Sequence, residues 1–178
     1  ISVLQNSVKT LRNENQNLKL KFENEIDEIE QYSRRQCLRI DGRKIEKESE
    51  DPEDIVKIVH RYMKEVGINT SDTVIDRAHR VGPTYVNRKK EKSRSIIVKF
   101  NNFRIRTLFY QNRAKLKDVV GIKVDLTKKR YNLLSNARSA IKSNVKLKDI
   151  YVFADINGRI KIVDNESKES AFISSIEE

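Results

Sequence analysis

Residues Ser95–Phe100, SIIVKF, follow directly on Asn87–Arg94, NRKKEKSR, so a short apolar strand stands immediately behind a cluster of like charges. Successive residues of a strand point to opposite faces. Ile96, Val98 and Phe100 therefore share one face and Ser95, Ile97 and Lys99 the other, the pattern of a strand buried on one side only.

Outward from this strand the same logic places its neighbours. CLRID (Cys37–Asp41) alternates with Leu38 and Ile40 inward and Arg39 outward, and stops at Gly42. A helix is predicted next, with Asp51 as N-cap, Pro52 at N1 and Asp54 at N3. Its apolar stripe is Ile55, Ile58, Val59, Tyr62, Met63 and Val66, and Gly67 closes it. TVIDRAHRV (Thr73–Val81) is the second strand and SIIVKF the third. NNFRIRTLFYQNRAKLKD (Asn101–Asp118) reads as a helix with Phe103, Ile105, Leu108 and Phe109 inward, and GIKVDL (Gly121–Leu126) as the fourth strand.

This β-α-β-β-α-β order over residues 36–125 predicts a ferredoxin-like domain, like an RNA-recognition motif: two helices cover one face of a four-stranded antiparallel sheet and leave the other open. RNA-recognition motifs stack bases on that open face through aromatic residues of strands one and three. The outward positions here are Arg39, Ile97 and Lys99, so phosphate contact is expected in place of base stacking on this sheet.

Before this domain, heptads counted from Ile1 give Ile1, Val8, Asn15, Phe22 and Ile29 at a and Leu4, Leu11, Leu18, Glu25 and Tyr32 at d. The spacing predicts a coiled coil over residues 1–35 that joins copies of the chain, with the spacing alone leaving dimer against trimer open. Because Ile1 falls inside this pattern and is not a Met, the sequence reads as an excerpt from something longer.

After the domain, residues 126–178 predict a small α-β-hairpin-α unit. Its first helix is capped by Thr127, with Tyr131, Leu134, Ala137 and Ile141 on one face and Lys128, Lys129, Arg138 and Lys142 on the other. A hairpin turns at Asn157-Gly158, read as type I′, and a last helix at about 168–176 supplies Phe172, Ile173 and Ile176. The chain as a whole is thus α+β, and the small third unit is expected to lean on the second.

Charge is sorted along the chain. The 178 residues carry a net charge of +11, and Arg77–Lys117 holds 13 bases against the single acid Glu91, whereas Asp41–Asp54 holds seven acids against three bases. That asymmetry points to a polyanionic partner. One cysteine, Cys37, excludes an intrachain disulfide and fits reducing surroundings. No apolar run reaches a membrane span's length, and no membrane is expected. His60 and His79 have no companions at ligand spacing and no glycine-rich phosphate loop exists, so no metal, cofactor, catalytic residue or enzymatic activity is expected.

The succession EIEQYSRRQCLRIDG, DRAHRVG, a basic loop, RSIIVKF and VDLTKKRYNLLSNAR before a hairpin resembles the first-open-reading-frame protein of LINE-type retrotransposons, and its carboxyl-terminal part is similar to the baculoviral few-polyhedra proteins. The resemblance covers nearly the whole chain. It implies a homotrimer that binds single-stranded RNA, and also single-stranded DNA, coats the element's RNA as a nucleic-acid chaperone, and resides in a cytoplasmic ribonucleoprotein with access to the nucleus. The Arg-h-x-x-h-Glu trimer signature of vertebrate relatives is absent from residues 1–35.

Motif by motif, the resemblance implies RNA contacts by Arg77 and Arg80, by Arg94 and Lys99, and by Lys129, Arg130 and Arg138. Outward Arg39 and Lys142 join them on strand and helix periodicity. Arg88, Lys89, Lys90 and Lys92 form an accessory basic loop, and Tyr85 and Tyr151 are candidate stacking residues. The arginines are ranked above the loop lysines because a planar guanidinium suits ordered phosphate contact. These groups are expected to line a basic cleft between the two carboxyl-terminal units. The competing expectation is a coiled-coil adaptor, or few-polyhedra-like structural protein, whose basic surface is incidental.

Overall fold

The structure is a computed structural model that describes residues 2–45, 51–144, 147 and 149–174. Ile1 and Ile176, and Glu46–Glu50 of the acidic stretch, lie outside the described residues. The chain is α+β, with a long N-terminal helix, a four-stranded antiparallel sheet and a second, three-stranded antiparallel sheet.

Helix α1, Ser2–Ser33, contains neither Gly nor Pro and at about 1.5 Å per residue is a rod of roughly 48 Å. Strands β1 (Cys37–Asp41), β2 (Ile75–Val86), β3 (Lys92–Phe100) and β4 (Gly121–Val124) form the first sheet in the order β2-β3-β1-β4. Helices α2 (Pro52–Glu65) and α3 (Phe103–Gln111) supply the core on one side of it. The alternation in SIIVKF is realised in full: Ile96, Val98 and Phe100 are buried with Leu38 and Ile40, and the Phe100 and Phe109 rings meet at 6.0 Å. Asp51 occupies the α2 N-cap position with extended backbone, but its side chain makes no capping bond.

Three expectations need correction here. In α3 the inward residues are Ile105, Arg106 and Phe109, while Phe103 and Leu108 are exposed. The helix is turned because Arg106 takes a core position. Its Nη1 donates to the Ile156 carbonyl at 3.1 Å, its Nη2 to the Cys37 carbonyl at 3.3 Å, and its guanidinium lies over the Phe103 and Tyr110 rings. Burial pushes its pKa down from the ordinary value. Next, the second strand starts at Ile75, after a 3-10 turn at Asp72–Val74, and runs as β2 to Val86 past a register shift after Val81, where positive φ at Gly82 permits the irregularity.

The third correction concerns the C-terminal part, where α4 (Lys128–Ser143) packs on the second sheet, β5 (Ile150–Ala154), β6 (Ile160–Asp164) and β7 (Ser170–Ile173). β7 replaces the expected last helix. Asp164 accepts from the Glu166 amide and the Ser167 hydroxyl, its own amide donates to the Glu169 carbonyl, and Lys168 takes φ 62°, which returns the chain antiparallel to β6. The hairpin turn is likewise not type I′, which needs positive φ at both central residues. Among Ile156, Asn157 and Gly158 only Gly158 has it, and Asp155 accepts the Asn157 and Arg159 amides, giving a three-residue loop of the type I plus bulge kind.

The end of α1 is fastened to this second layer. Gln31, 2% exposed, donates through Nε2 to the Asp125 carbonyl at 3.0 Å and accepts the Thr127 amide at 3.1 Å. A Cβ added at Gly158, whose φ is +80°, would stand 2.6 Å from the Gln31 amide group. The side chain cannot swing aside without breaking both bonds.

Gly158→Ala is therefore expected to cost about 2–4 kcal/mol: about 1–2 for the left-handed backbone and about 1–2 for the displaced, buried amide. In a Gln31→Ala background only the first part should remain. Urea midpoints of the four proteins test this, and an equal Gly158→Ala cost in both backgrounds would show that the amide yields freely.

Candidate nucleic-acid interface

A cleft of about 750 Å³ opens between the first sheet and α4, bordered by β4 and β5, strands that each pair on one side only. Its basic lining is Arg34, Arg39, Arg113, Lys123, Lys128 and Arg138. Tyr110, Tyr131 and Phe153 add rings, and Asp41 is its one acid. A hollow of about 210 Å³ carries Tyr131 and Arg138 on to Lys142 along the same helix face.

These cations are not equivalent. Asp125, fully buried, accepts from Arg34 at 2.9 Å and from Arg39 at 3.2 Å, and Lys123 pairs with Asp41 at 2.8 Å. For Arg34, burial opposes the charge, but the Glu30 and Asp125 carboxylates outweigh it and raise the pKa. Arg113, Lys128 and Arg138 have no carboxylate partner among the described residues. Arg113 is stacked on Tyr110 at 4.1 Å and bonded to its carbonyl. The Arg138 Nε reaches the Val152 carbonyl at 3.3 Å and stays exposed.

Of the residues expected from sequence, Arg39, Arg138 and Lys142 are brought to the cleft or its extension. Arg77 and Lys99 stand on the open face of the first sheet, paired in register, with Lys99 bridged to Asp76 at 3.1 Å. Arg80 and Arg94 do not belong to that face. Strand alternation turns them to the opposite side, with Ile96. Arg80 donates to the carbonyls of Arg43, Lys44 and Arg94, and Arg94 to that of Gly82.

Arg130 lies outside the cleft lining, at 7% exposure. Its Nε donates to Asp27 at 2.7 Å, its Nη2 to Glu28 and its Nη1 to the Gly158 carbonyl. Thr127 donates its hydroxyl to Asp27 while capping α4 through the Arg130 amide, and Lys129 reaches back to Asn24 of α1. Tyr131, expected in the core of the second layer, is exposed and lines the cleft instead.

The basic loop is shorter and more ordered than its composition implied. β2 and β3 run on as a paired ribbon, and only Asn87–Glu91 turns. There the Asn87 carboxamide accepts the Lys89 and Glu91 amides and donates to the Gly42 carbonyl, and Lys90 adopts φ 60°. Arg88, Lys89, Lys90 and Lys92 are exposed at this tip. The Tyr85 hydroxyl accepts the Gly42 amide at 2.8 Å, which ties the side chain to the end of the first strand. Tyr151 is exposed on β5.

Sequence reasoning missed Arg34, Arg113, Lys123 and Lys128 at the cleft, and Arg106 beneath it. Lys123 was legible as the outward residue of GIKV and Lys128 as a residue of the polar face of α4; the others depend on contacts between distant segments. No group of three His, Cys, Asp or Glu side chains gathers as metal ligands would among the described residues.

No family model matches the chain, and no curated protein does. Among the described residues no helix is long and apolar enough to cross a membrane.

Arg130→Ala is expected to destabilise by about 3 kcal/mol, because it strands the nearly buried Asp27 carboxylate. Arg138→Ala should stay within about 0.5 kcal/mol, as for an exposed surface change. Denaturant unfolding of the two variants decides, and similar losses would contradict the division between structural and displayed arginines.

Proposed function

We propose that this chain is an oligomeric binder of single-stranded nucleic acid, principally RNA, whose phosphates lie in the cleft between the first sheet and α4. It would serve there as a nucleic-acid chaperone within a cytoplasmic ribonucleoprotein. The observation that carries the reading is the cleft, where Arg113, Lys128 and Arg138 lack carboxylate partners among the described residues and Asp41 is the only acid in the lining. Its charges suit a backbone more than a base sequence. The resemblance to LINE first-open-reading-frame proteins supports the same partner and supplies the chaperone role.

The fold belongs to the same proposal. In a β-α-β-β-α-β chain, the order β4-β1-β3-β2, with the first and third strands central, is what a ferredoxin-like domain requires. Along α1, Leu4, Val8, Leu11, Leu18, Phe22 and Ile29 are all exposed at heptad positions. A row of this kind calls for further copies of the same helix. We assign three copies on the family resemblance, and a mass from light scattering at high salt distinguishes three from two.

Two outcomes are expected. For single strands, log affinity falls with log salt by about 0.7 per phosphate neutralised, so Lys128→Ala or Arg138→Ala should each flatten that slope by up to ~0.7 per engaged chain. Lys57→Ala and Lys64→Ala on α2 should leave it unchanged, and equal effects from both pairs would reduce the cleft to net charge. Separately, Leu11→Asn with Leu18→Asn should yield monomers whose binding is weaker by roughly 10²–10⁴, the avidity that linkage confers. Full affinity in a monomer of proven mass would show that one chain suffices.

A further inference from the structure

The second sheet has two unlike faces. Its registers place Val152 and Ile162 in one inward row and Ala154, Ile160 and Ile173 in another, against α4. The outward rows are Tyr151, Val163 and Ser170, and Phe153, Lys161 and Phe172. Tyr151 is 53% exposed, Phe153 41% and Phe172 52%, so three aromatic rings stand on a face that the core does not use.

Cations accompany them. Lys161 lies between Phe153 and Phe172, and the Arg159 guanidinium covers the Phe172 ring at 4.2 Å, steadied by a 2.8 Å bond to Asp155. Phe153 also lines the cleft, which makes this face continuous with Lys128 and Arg138. The comparable row of the first sheet, His79, Ile97, Arg39 and Lys123, contains no six-membered aromatic ring.

We infer that the outer face of the second sheet is a stacking platform for unpaired bases, entered from the cleft at Phe153 and Tyr151 and continued by the guanidinium-capped Phe172. The inference rests on the function proposed above and specifies it: the cleft holds phosphates and the second sheet holds bases. Rings and guanidinium planes are the two surfaces on which unstacked bases settle. A duplex keeps its base faces stacked on one another, so this platform accepts single strands and refuses paired ones.

The test uses the full chain and two probes of equal length, an oligouridylate and an abasic sugar-phosphate strand. The unmodified protein should prefer the first, by about 5- to 150-fold for each base stacked. Phe172→Leu, which keeps an apolar side chain but removes a ring that lies outside the cleft lining, should lower that preference and leave affinity for the abasic strand unchanged. Phe153→Leu should lower the ratio of the two affinities further, whatever it does to the cleft that Phe153 also lines. Equal binding of both probes by the unmodified protein would overturn the platform while leaving the phosphate cleft standing. Binding of neither would overturn the underlying function as well. A Phe172→Leu variant that weakens both probes alike, or changes the assembly's mass, would assign this face to protein contact and refute the inference.

Discussion

Everything beyond the first sheet is positioned by one buried polar junction. There the end of α1, the β4–α4 corner and the β5–β6 turn meet through Asp27, Gln31, Asp125, Thr127 and Arg130. A charged group withdrawn from water is tolerated only when its partners are complete. Arg130 has two carboxylates and a carbonyl, and Asp125 has two guanidinium groups. The geometry is consequently stiff, and the walls of the cleft inherit that stiffness. Arg106 adds a second tie from α3 to Ile156, made with carbonyl dipoles and ring faces in place of a carboxylate.

The same residue type is thus divided between two tasks. Arg80, Arg106 and Arg130 spend their donors on backbone carbonyls and buried carboxylates, while Arg113, Lys128 and Arg138 keep charge at the surface. A guanidinium is suited to both because it carries five donors in one plane and is weakly hydrated. The net charge of the chain therefore overstates what it can offer a polyanion.

Much of the fold was legible where a local rule governs it. The period of two in CLRID and SIIVKF, the stripe of α2 and the cap at Thr127 all concern residues close in sequence, and each corresponds to the element observed. What escaped depends on distance. Arg130 stands 103 positions from Asp27, and nothing in KKRYNLL distinguishes it from Lys128 or Arg138. Arg80 parts from Arg77 for a simpler reason: three positions along a strand is the opposite face. The last strand was misread because SAFIS is too short for periodicity to decide, and the hydrogen bonds of Asp164, not propensity, reverse the chain there.

Cys37 is the only cysteine of the 178 residues, buried in the first strand, with its carbonyl held by Arg106 and its thiol pKa pushed up by that burial. Because the thiolate is the reactive form, a group so placed is protected twice, by steric cover and by its protonation. In register with Lys99, the thiol belongs to the face of the first sheet opposite its helices. The rate at which it is labelled therefore counts how often the cover over the first strand opens.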